Sequence, residues 1–133
     1  MILRITYFTA IAAILSTIIL VVLTHIPGSS IPDFARYNDK VLHYGAYAVV
    51  SLLYGISFGS KGLKGLLWML LITLFLAALA AGDEYTQQYF SRTTDIKDYY
   101  ADLRGIATGM GVAFVFWGLR TIMALKLNVT ISK

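Results

Sequence analysis

The sequence predicts an all-α fold, a four-helix transmembrane bundle with short loops. Of its 133 residues, 58% are hydrophobic and only 14% are charged, whereas soluble domains carry about one-quarter charged residues. The mean hydropathy is +0.72. Four apolar segments reach the length of about 20 residues that a helix needs to cross a bilayer. Because lipid cannot satisfy backbone polar groups, each segment is expected to be helical.

The first two predicted spans cover residues 5–24 and 41–58. The first follows Arg4 but has no small-x-small cleavage site, so we expect an uncleaved span and not a signal peptide. Pro27 and the glycine after it are expected to end this helix. The second span starts with the polar stretch DKVLHYGAY. We expect it to begin at the membrane interface, with Asn38 or Asp39 as its cap.

The last two predicted spans cover residues 63–82 and 103–125. The fourth span contains Arg120, which can reach the headgroup region by snorkelling. It is also rich in small residues at spacings that let helices approach closely. These small residues are Gly105, Ala107, Gly109, Gly111 and Ala113. No linker, low-complexity tract or internal repeat divides the chain, so residues 1–133 are expected to form a single integral membrane domain.

The composition excludes several kinds of site. The chain has no cysteine, which removes disulfides, thiolate zinc sites and cysteine nucleophiles. The net charge is +4, but the basic residues are scattered singly along the chain. A nucleic-acid partner is therefore not expected, because such partners need a clustered basic surface. The expected partner is the membrane lipid bilayer, and the sequence leaves the oligomeric state open.

Four spans put both termini on one side of the membrane and every carboxylate on the other side. The seven acidic residues are Asp33, Asp39, Asp83, Glu84, Asp95, Asp98 and Asp102. The side of the termini carries six basic residues and the acidic side carries five. The positive-inside rule therefore favours cytoplasmic termini and acidic loops outside the cell membrane.

Asp39 and His43 are four residues apart, which places them on one face of a helix. A carboxylate at this spacing can orient an imidazole and raise its basicity. The alternative role for Asp39 is that of a helix cap. A costly ionisable group at the start of a span favours a functional role, and both interpretations stay open.

The segment 83–102 contains further candidate residues at helical spacing. Glu84 and Gln87 follow the third span, and Arg92 is a candidate ligand for phosphate or carboxylate, or a partner of its own loop's acids. Asp95 and Asp98 fit a variant capping box. Asp102, one turn later, then needs a neutralising partner such as Arg92, Arg104 or a bound cation.

No known catalytic or metal-binding motif accompanies these acids. The order of the acids does not match an EF-hand loop, so we expect no metal site and no cofactor. Nucleophile elbows, phosphate-cradling glycine loops and zinc-protease motifs are also absent from the sequence. If the protein is an enzyme, the candidates for acid/base catalysis are His43, Glu84 and Asp98.

The chain resembles the VanZ-like family of membrane proteins in three stretches. These are HIPGSSIP at 25–32, DKVLHYGAYAVVSLL at 39–53 and GDEYTQQYFSRTTDIKDYYADLRGIATG at 82–109. The resemblance implies site residues at the matching positions, namely Asp39, Lys40, His43, Glu84, Gln87, Arg92 and Asp98. The family usually has Asn at the position of Asp102, so this Asp is expected to be paired or protonated.

The VanZ-like resemblance implies a link to lowered susceptibility to glycopeptides that carry a lipid tail, such as teicoplanin. Our leading hypothesis is a protein that recognises a lipid headgroup or lipid-linked cell-wall intermediate at the outer membrane face. The ligand-binding candidates are Asp39, Lys40, His43, Glu84, Gln87, Arg92, Asp95, Asp98 and Asp102. The alternatives are a membrane enzyme that uses acid/base chemistry on a lipid-linked substrate and a structural accessory subunit.

Overall fold

The computed structural model describes residues 2–34, 38–59 and 62–131, and this part of the chain forms four long helices and no strand. The helices are α1 (Ile2–Thr24), α2 (Asp39–Phe58), α3 (Gly62–Gln87) and α4 (Ile96–Ile131). Each is long and apolar enough to cross a membrane. The predicted four-helix transmembrane bundle is therefore confirmed, and the chain has the architecture of a multi-pass membrane protein.

Helix α2 lies at the centre of the bundle. It packs most extensively against α4 and also contacts α1 and α3, whereas α1 touches α3 only slightly. Buried apolar side chains fill the space between the helices, among them Tyr47, Leu76 and Ile106. The outer faces carry exposed apolar residues such as Leu74 and Val115. This distribution suits helices that are surrounded by lipid.

Small residues allow α2 and α4 to approach closely. The Cα of Gly105 lies against the backbone of Tyr44, and that of Gly109 lies against Ala48 and Ser51. A Cβ at either glycine would collide with these atoms, because a helix pair this close has no space for it. The predicted close packing is confirmed for Gly105 and Gly109, whereas Gly111 faces open space and takes no part.

The helices run alternately up and down. At one end of the bundle, the Ser57 hydroxyl donates a hydrogen bond of 2.8 Å to Thr9 Oγ1. At the other end, Thr24 Oγ1 at the end of α1 donates one of 2.7 Å to Asp83 Oδ1 in the last turns of α3. This second end, together with the first turns of α2 and α4, is called the acidic end below.

Several helices are longer than predicted, among them α4, which ends at Ile131 instead of residue 125, and two of the extensions lie at the acidic end. Helix α3 continues past residue 82 to Gln87, and α4 begins at Ile96 instead of residue 103. Most of the segment 83–102 is therefore helical, and the connection between α3 and α4 covers only residues 88–95. Hydropathy underestimated both helices because their additional turns bury polar side chains, which lower the average without ending the helix.

The start of α2 also differs from the predicted cap. Asn38 precedes the helix, but its side chain makes no capping hydrogen bond. Its Nδ2 instead donates to Phe34 O at 2.8 Å, and Asp39 is the first helical residue. The prediction that Asn38 or Asp39 caps α2 is therefore wrong. The side chain of Asn38 bonds to Phe34 O, and that of Asp39 contacts Arg92.

Candidate functional site

His43 lies at the centre of the polar cluster at the acidic end. Its Nδ1 is 2.9 Å from Asp102 Oδ1, and its Nε2 is 3.8 Å from Asp39 Oδ1. His43 and Asp102 are only 6% and 1% exposed. Because an ionised carboxylate can only accept, Nδ1 is the nitrogen that donates, and Nε2 is left to face Asp39. The predicted proximity of Asp39 and His43 is confirmed.

Arg92 connects the end of α1 to the start of α2. Its Nη1 donates to Thr24 O at 3.0 Å, and its Nη2 donates to Asp39 Oδ1 at 3.4 Å. The side chain is 12% exposed. The salt bridge to an acid is thus present, but the acid lies on α2 and not in the loop of Arg92 itself. Ser91, the residue before it, has a left-handed backbone with φ of 55°, a conformation that is uncommon outside glycine.

Lys40 pairs with two carboxylates of the segment 95–98. Its Nζ donates to Asp95 Oδ2 and to Asp98 Oδ1, both at 3.0 Å. The Lys40 side chain is about half exposed, whereas that of Asp98 is buried. The basic residue that the sequence suggested as a ligand for anions is therefore already engaged with the protein's own acids.

The start of α4 is capped by Asp95, the residue before the helix, and by Glu84 of α3. Asp95 Oδ1 accepts a hydrogen bond of 2.9 Å from the backbone N–H of Lys97, which confirms the predicted capping role. This N–H and, second, the Lys40 ammonium lower the pKa of Asp95. Glu84 Oε1 accepts the backbone N–H of Asp95. Glu84 thus takes the place that Asp98 would have in a capping box, because the side chain of Asp98 bonds to Lys40 instead.

A second polar group, formed by Asp83 and His25, lies at the same end of the bundle as the His43 cluster. It was not among the site residues predicted from the sequence. Asp83 is buried and bonds to Thr24, and its Oδ1 is 3.4 Å from His25 Nδ1. His25 Nε2 is 2.9 Å from Thr86 Oγ1, and its ring meets Phe90 edge to face. The sequence signal that could have identified Asp83 is the presence of an acidic residue at the end of an apolar run.

Four buried polar atoms have no hydrogen-bond partner among the described residues. They are Tyr47 Oη, Asp83 Oδ2, Glu84 Oε2 and Gln87 Nε2. Leaving such atoms unpaired costs about 1–3 kcal/mol each, so native interiors rarely contain them. All four belong to α2 and to the last turns of α3. They mark this part of the interior as a place where a water or a ligand would be stabilised.

A cavity of about 380 Å³ opens between the end of α1, the following connection and the start of α2. Most of its wall is apolar, with Leu20, Leu23 and Leu42 among the lining residues. Asp39, His43 and Arg92 line it as well. The cavity is therefore amphipathic, which is typical of sites that hold a small ligand by an apolar wall and a few polar groups.

The predicted site residues largely converge. Hydrogen bonds and ion pairs link them into two neighbouring groups, one of Asp39, His43, Arg92 and Asp102 and one of Lys40, Glu84, Asp95 and Asp98. Gln87 is buried nearby on α3 without a partner for its Nε2 among the described residues. The two groups meet at Asp39, His43 and Asp98, which each offer a ligand atom, and these atoms lie within 4.8 Å of one another.

Comparison with known proteins adds no assignment. No protein-family model, curated protein or solved structure matches this chain. The resemblance to the VanZ-like family is therefore carried by the motifs in the sequence alone. The site at the acidic end consists of a buried Asp–His pair, two internally paired basic residues and an amphipathic cavity.

Proposed function

We propose that this protein binds the headgroup of an anionic lipid, or of a lipid-linked cell-wall intermediate, in the cavity at the acidic end. The observation that supports this most directly is the amphipathic cavity of about 380 Å³. Its apolar wall suits a hydrocarbon chain, and Arg92 and His43 offer polar contacts to a headgroup.

Arg92 is the residue that would recognise the negative charge. A guanidinium carries five N–H donors in a fixed planar arrangement that matches phosphate. Thr24 O and Asp39 Oδ1 accept hydrogen bonds from its two terminal nitrogens. Contacts with the described residues therefore leave further N–H donors on Arg92, and a phosphate can approach it while the salt bridge to Asp39 holds the guanidinium in place.

The biological role follows from the resemblance to VanZ-like proteins. In this proposal the acidic end faces the outside of the cell membrane and both termini are cytoplasmic. A protein that occupies or sequesters headgroups there changes what a lipid-tailed glycopeptide meets at the membrane surface. Lowered susceptibility to teicoplanin-like antibiotics would be the result.

Native mass spectrometry of the purified protein in detergent tests the lipid proposal. Phosphatidylglycerol and phosphatidylcholine are offered in equal amounts, and we expect preferential retention of phosphatidylglycerol. Arg92→Gln should abolish this preference, because it removes the charge but keeps the polarity. Arg104→Gln is the matched control, since Arg104 is exposed at the same end outside the cavity. An unchanged preference in Arg92→Gln would contradict the proposal.

The buried pair of His43 and Asp102 favours a second candidate function, acid/base catalysis on a lipid-linked substrate. Asp102 orients the ring and leaves Nε2 at the cavity, where a general base must lie. Glu84 and Asp98 are the candidate partners for proton transfer. Chemical turnover of a lipid-linked substrate by wild-type protein, lost in His43→Gln, would support this function, and binding without turnover would argue against it.

A further inference from the structure

We propose that Asp39, His43 and Asp98 bind a divalent transition-metal cation, with Mn²⁺ or Zn²⁺ as the fitting ions. Their ligand atoms lie within 4.8 Å of one another. Ligands at about 2.0–2.2 Å from a metal are at most roughly 4.4 Å apart, so only a small shift closes the site. This proposal goes beyond lipid binding and does not rest on it.

The imidazole of His43 is already oriented as a metal ligand. Asp102 accepts the hydrogen bond from Nδ1 at 2.9 Å, so Nε2 is the nitrogen with a free lone pair. A carboxylate behind the histidine fixes its tautomer and raises its basicity in most protein metal sites. Asp102 therefore acts as a positioning residue, while Asp39 and Asp98 supply oxygen ligands.

A separate observation points to a ligand at this place. Glu84 is only 6% exposed, and its Oε2 has no hydrogen-bond partner among the described residues. Glu84 is connected to the trio through Asp95: its Oε1 accepts the Asp95 N–H, and the Asp95 carboxylate shares the Lys40 ammonium with Asp98. An unpaired buried carboxylate oxygen beside the trio needs a positive or hydrogen-donating group, and a cation or its bound water provides one.

The charges of the cluster lead to the same conclusion. Five carboxylates lie here, namely Asp39, Glu84, Asp95, Asp98 and Asp102. The basic residues that contact them are Lys40 and Arg92. With every carboxyl group ionised and His43 neutral, three negative charges remain, and a divalent cation would offset two of them. Lys40 and Arg92 each contact the Oδ1 atom of their partner acid, and the carboxyl groups of Asp39 and Asp98 lie close enough to interact with each other.

The donor set selects the kind of metal. Carboxylates suit Mg²⁺, Ca²⁺ and Mn²⁺, whereas imidazole suits Zn²⁺ and other transition metals. Two carboxylates with one imidazole therefore favour Mn²⁺ or Zn²⁺ over the purely oxygen-binding ions. Asp39 and His43 also line the cavity, which gives the ion a route in and leaves a coordination position open to a ligand in the cavity.

Mn²⁺ titration of the purified, lipid-depleted protein tests the site without any lipid ligand. After treatment with a chelator, we expect one Mn²⁺ per chain at micromolar affinity. Pulsed electron paramagnetic resonance should show coupling to an imidazole nitrogen, which only a histidine ligand produces. Zn²⁺ should displace the Mn²⁺, and Mg²⁺ at the same concentration should not.

Matched variants identify the ligands. Asp98→Asn should weaken Mn²⁺ binding at least tenfold, and His43→Gln should abolish the nitrogen coupling. Asp33→Asn makes the same charge change at the same end outside the trio and should bind like wild type. Wild-type affinity in Asp98→Asn, or Mn²⁺ binding without nitrogen coupling in the wild type, would overturn the proposal. The wild-type spectrum decides the question even if a variant does not fold.

Discussion

His43 and Asp102 form a buried pair across α2 and α4, with 2.9 Å between Nδ1 and Oδ1. The two residues are 59 positions apart in the chain. The sequence predicted Arg92, Arg104 or a bound cation as the partner of Asp102, whereas the structure pairs this carboxyl group with His43. Both candidate functions and the proposed metal site depend on the ring orientation that this pair maintains.

Replacing Asp102 tests whether the pair is charged. Asp102→Asn keeps an acceptor for Nδ1 but loses the negative charge that strengthens this hydrogen bond, so we expect unfolding in detergent to become easier by about 1 kcal/mol. Asp102→Leu leaves the N–H of His43 without an acceptor and should cost about 1–3 kcal/mol. Denaturant unfolding followed by circular dichroism gives both values. If Asp102→Asn is as stable as the wild type, the carboxyl group is neutral in the folded protein.

Gly109 tests the close packing of α2 on α4. Gly109→Leu should destabilise the bundle by more than about 2 kcal/mol, because the new side chain meets Ser51 and the backbone of Ala48. Gly111→Leu is the control on the same helix, since its Cβ would meet open space. Thermal unfolding of the two variants in detergent should differ clearly. Equal melting temperatures would contradict the observed helix contact.

The Asp95 cap predicts a specific acid sensitivity. Its pKa is lowered below the ordinary value of 3.8 by the N–H of Lys97 and by Lys40. A lowered folded-state pKa contributes stability that is complete above 3.8 and is lost as the pH falls through the folded-state value. Asp95→Asn keeps a capping oxygen but cannot titrate. We therefore expect its stability to fall less than that of wild type on acidification, as measured by denaturant midpoints across this pH range.

Single cysteines test the orientation in the membrane. The chain has no native cysteine, so Thr93→Cys and Lys64→Cys each introduce one label site. Thr93 is exposed at the acidic end and Lys64 is exposed at the start of α3. With cytoplasmic termini, an impermeant maleimide added to intact cells should label Cys at 93 and should reach Cys at 64 only after permeabilisation. The reverse pattern would invert the proposed topology.

Much of the fold was predictable from the sequence because hydropathy alone identifies helices that cross lipid. The contact between Asp39 and His43 was also predictable, since it follows from one turn of a single helix. The contacts between residues on different helices could not be predicted. Spacing along the chain carries no information on which face of α4 meets α2, and this face decides that Asp102 pairs with His43.

The expectation of no metal site was limited in the same way, because it considered only residues that are close together in the sequence. The sequence interpretation compared the order of acids with contiguous cation-binding loops and expected no metal. In the structure, Asp39 and His43 come from α2 and Asp98 comes from α4. A set of ligands divided between helices has no sequence signature of its own. The orphaned Glu84 Oε2 likewise becomes visible only when burial and hydrogen bonds are known.

The bond between Glu84 and the backbone of Asp95 turns the connection between α3 and α4 into a closed ring. Arg92 is one of the residues of this closed connection, and its backbone N–H donates a hydrogen bond to Gln87 O at 3.4 Å. Because the backbone of Arg92 is already fixed before binding, the residue loses little conformational entropy when an anion binds. The association rate for an anionic ligand would then be set by diffusion to the cavity and not by a search of loop conformations.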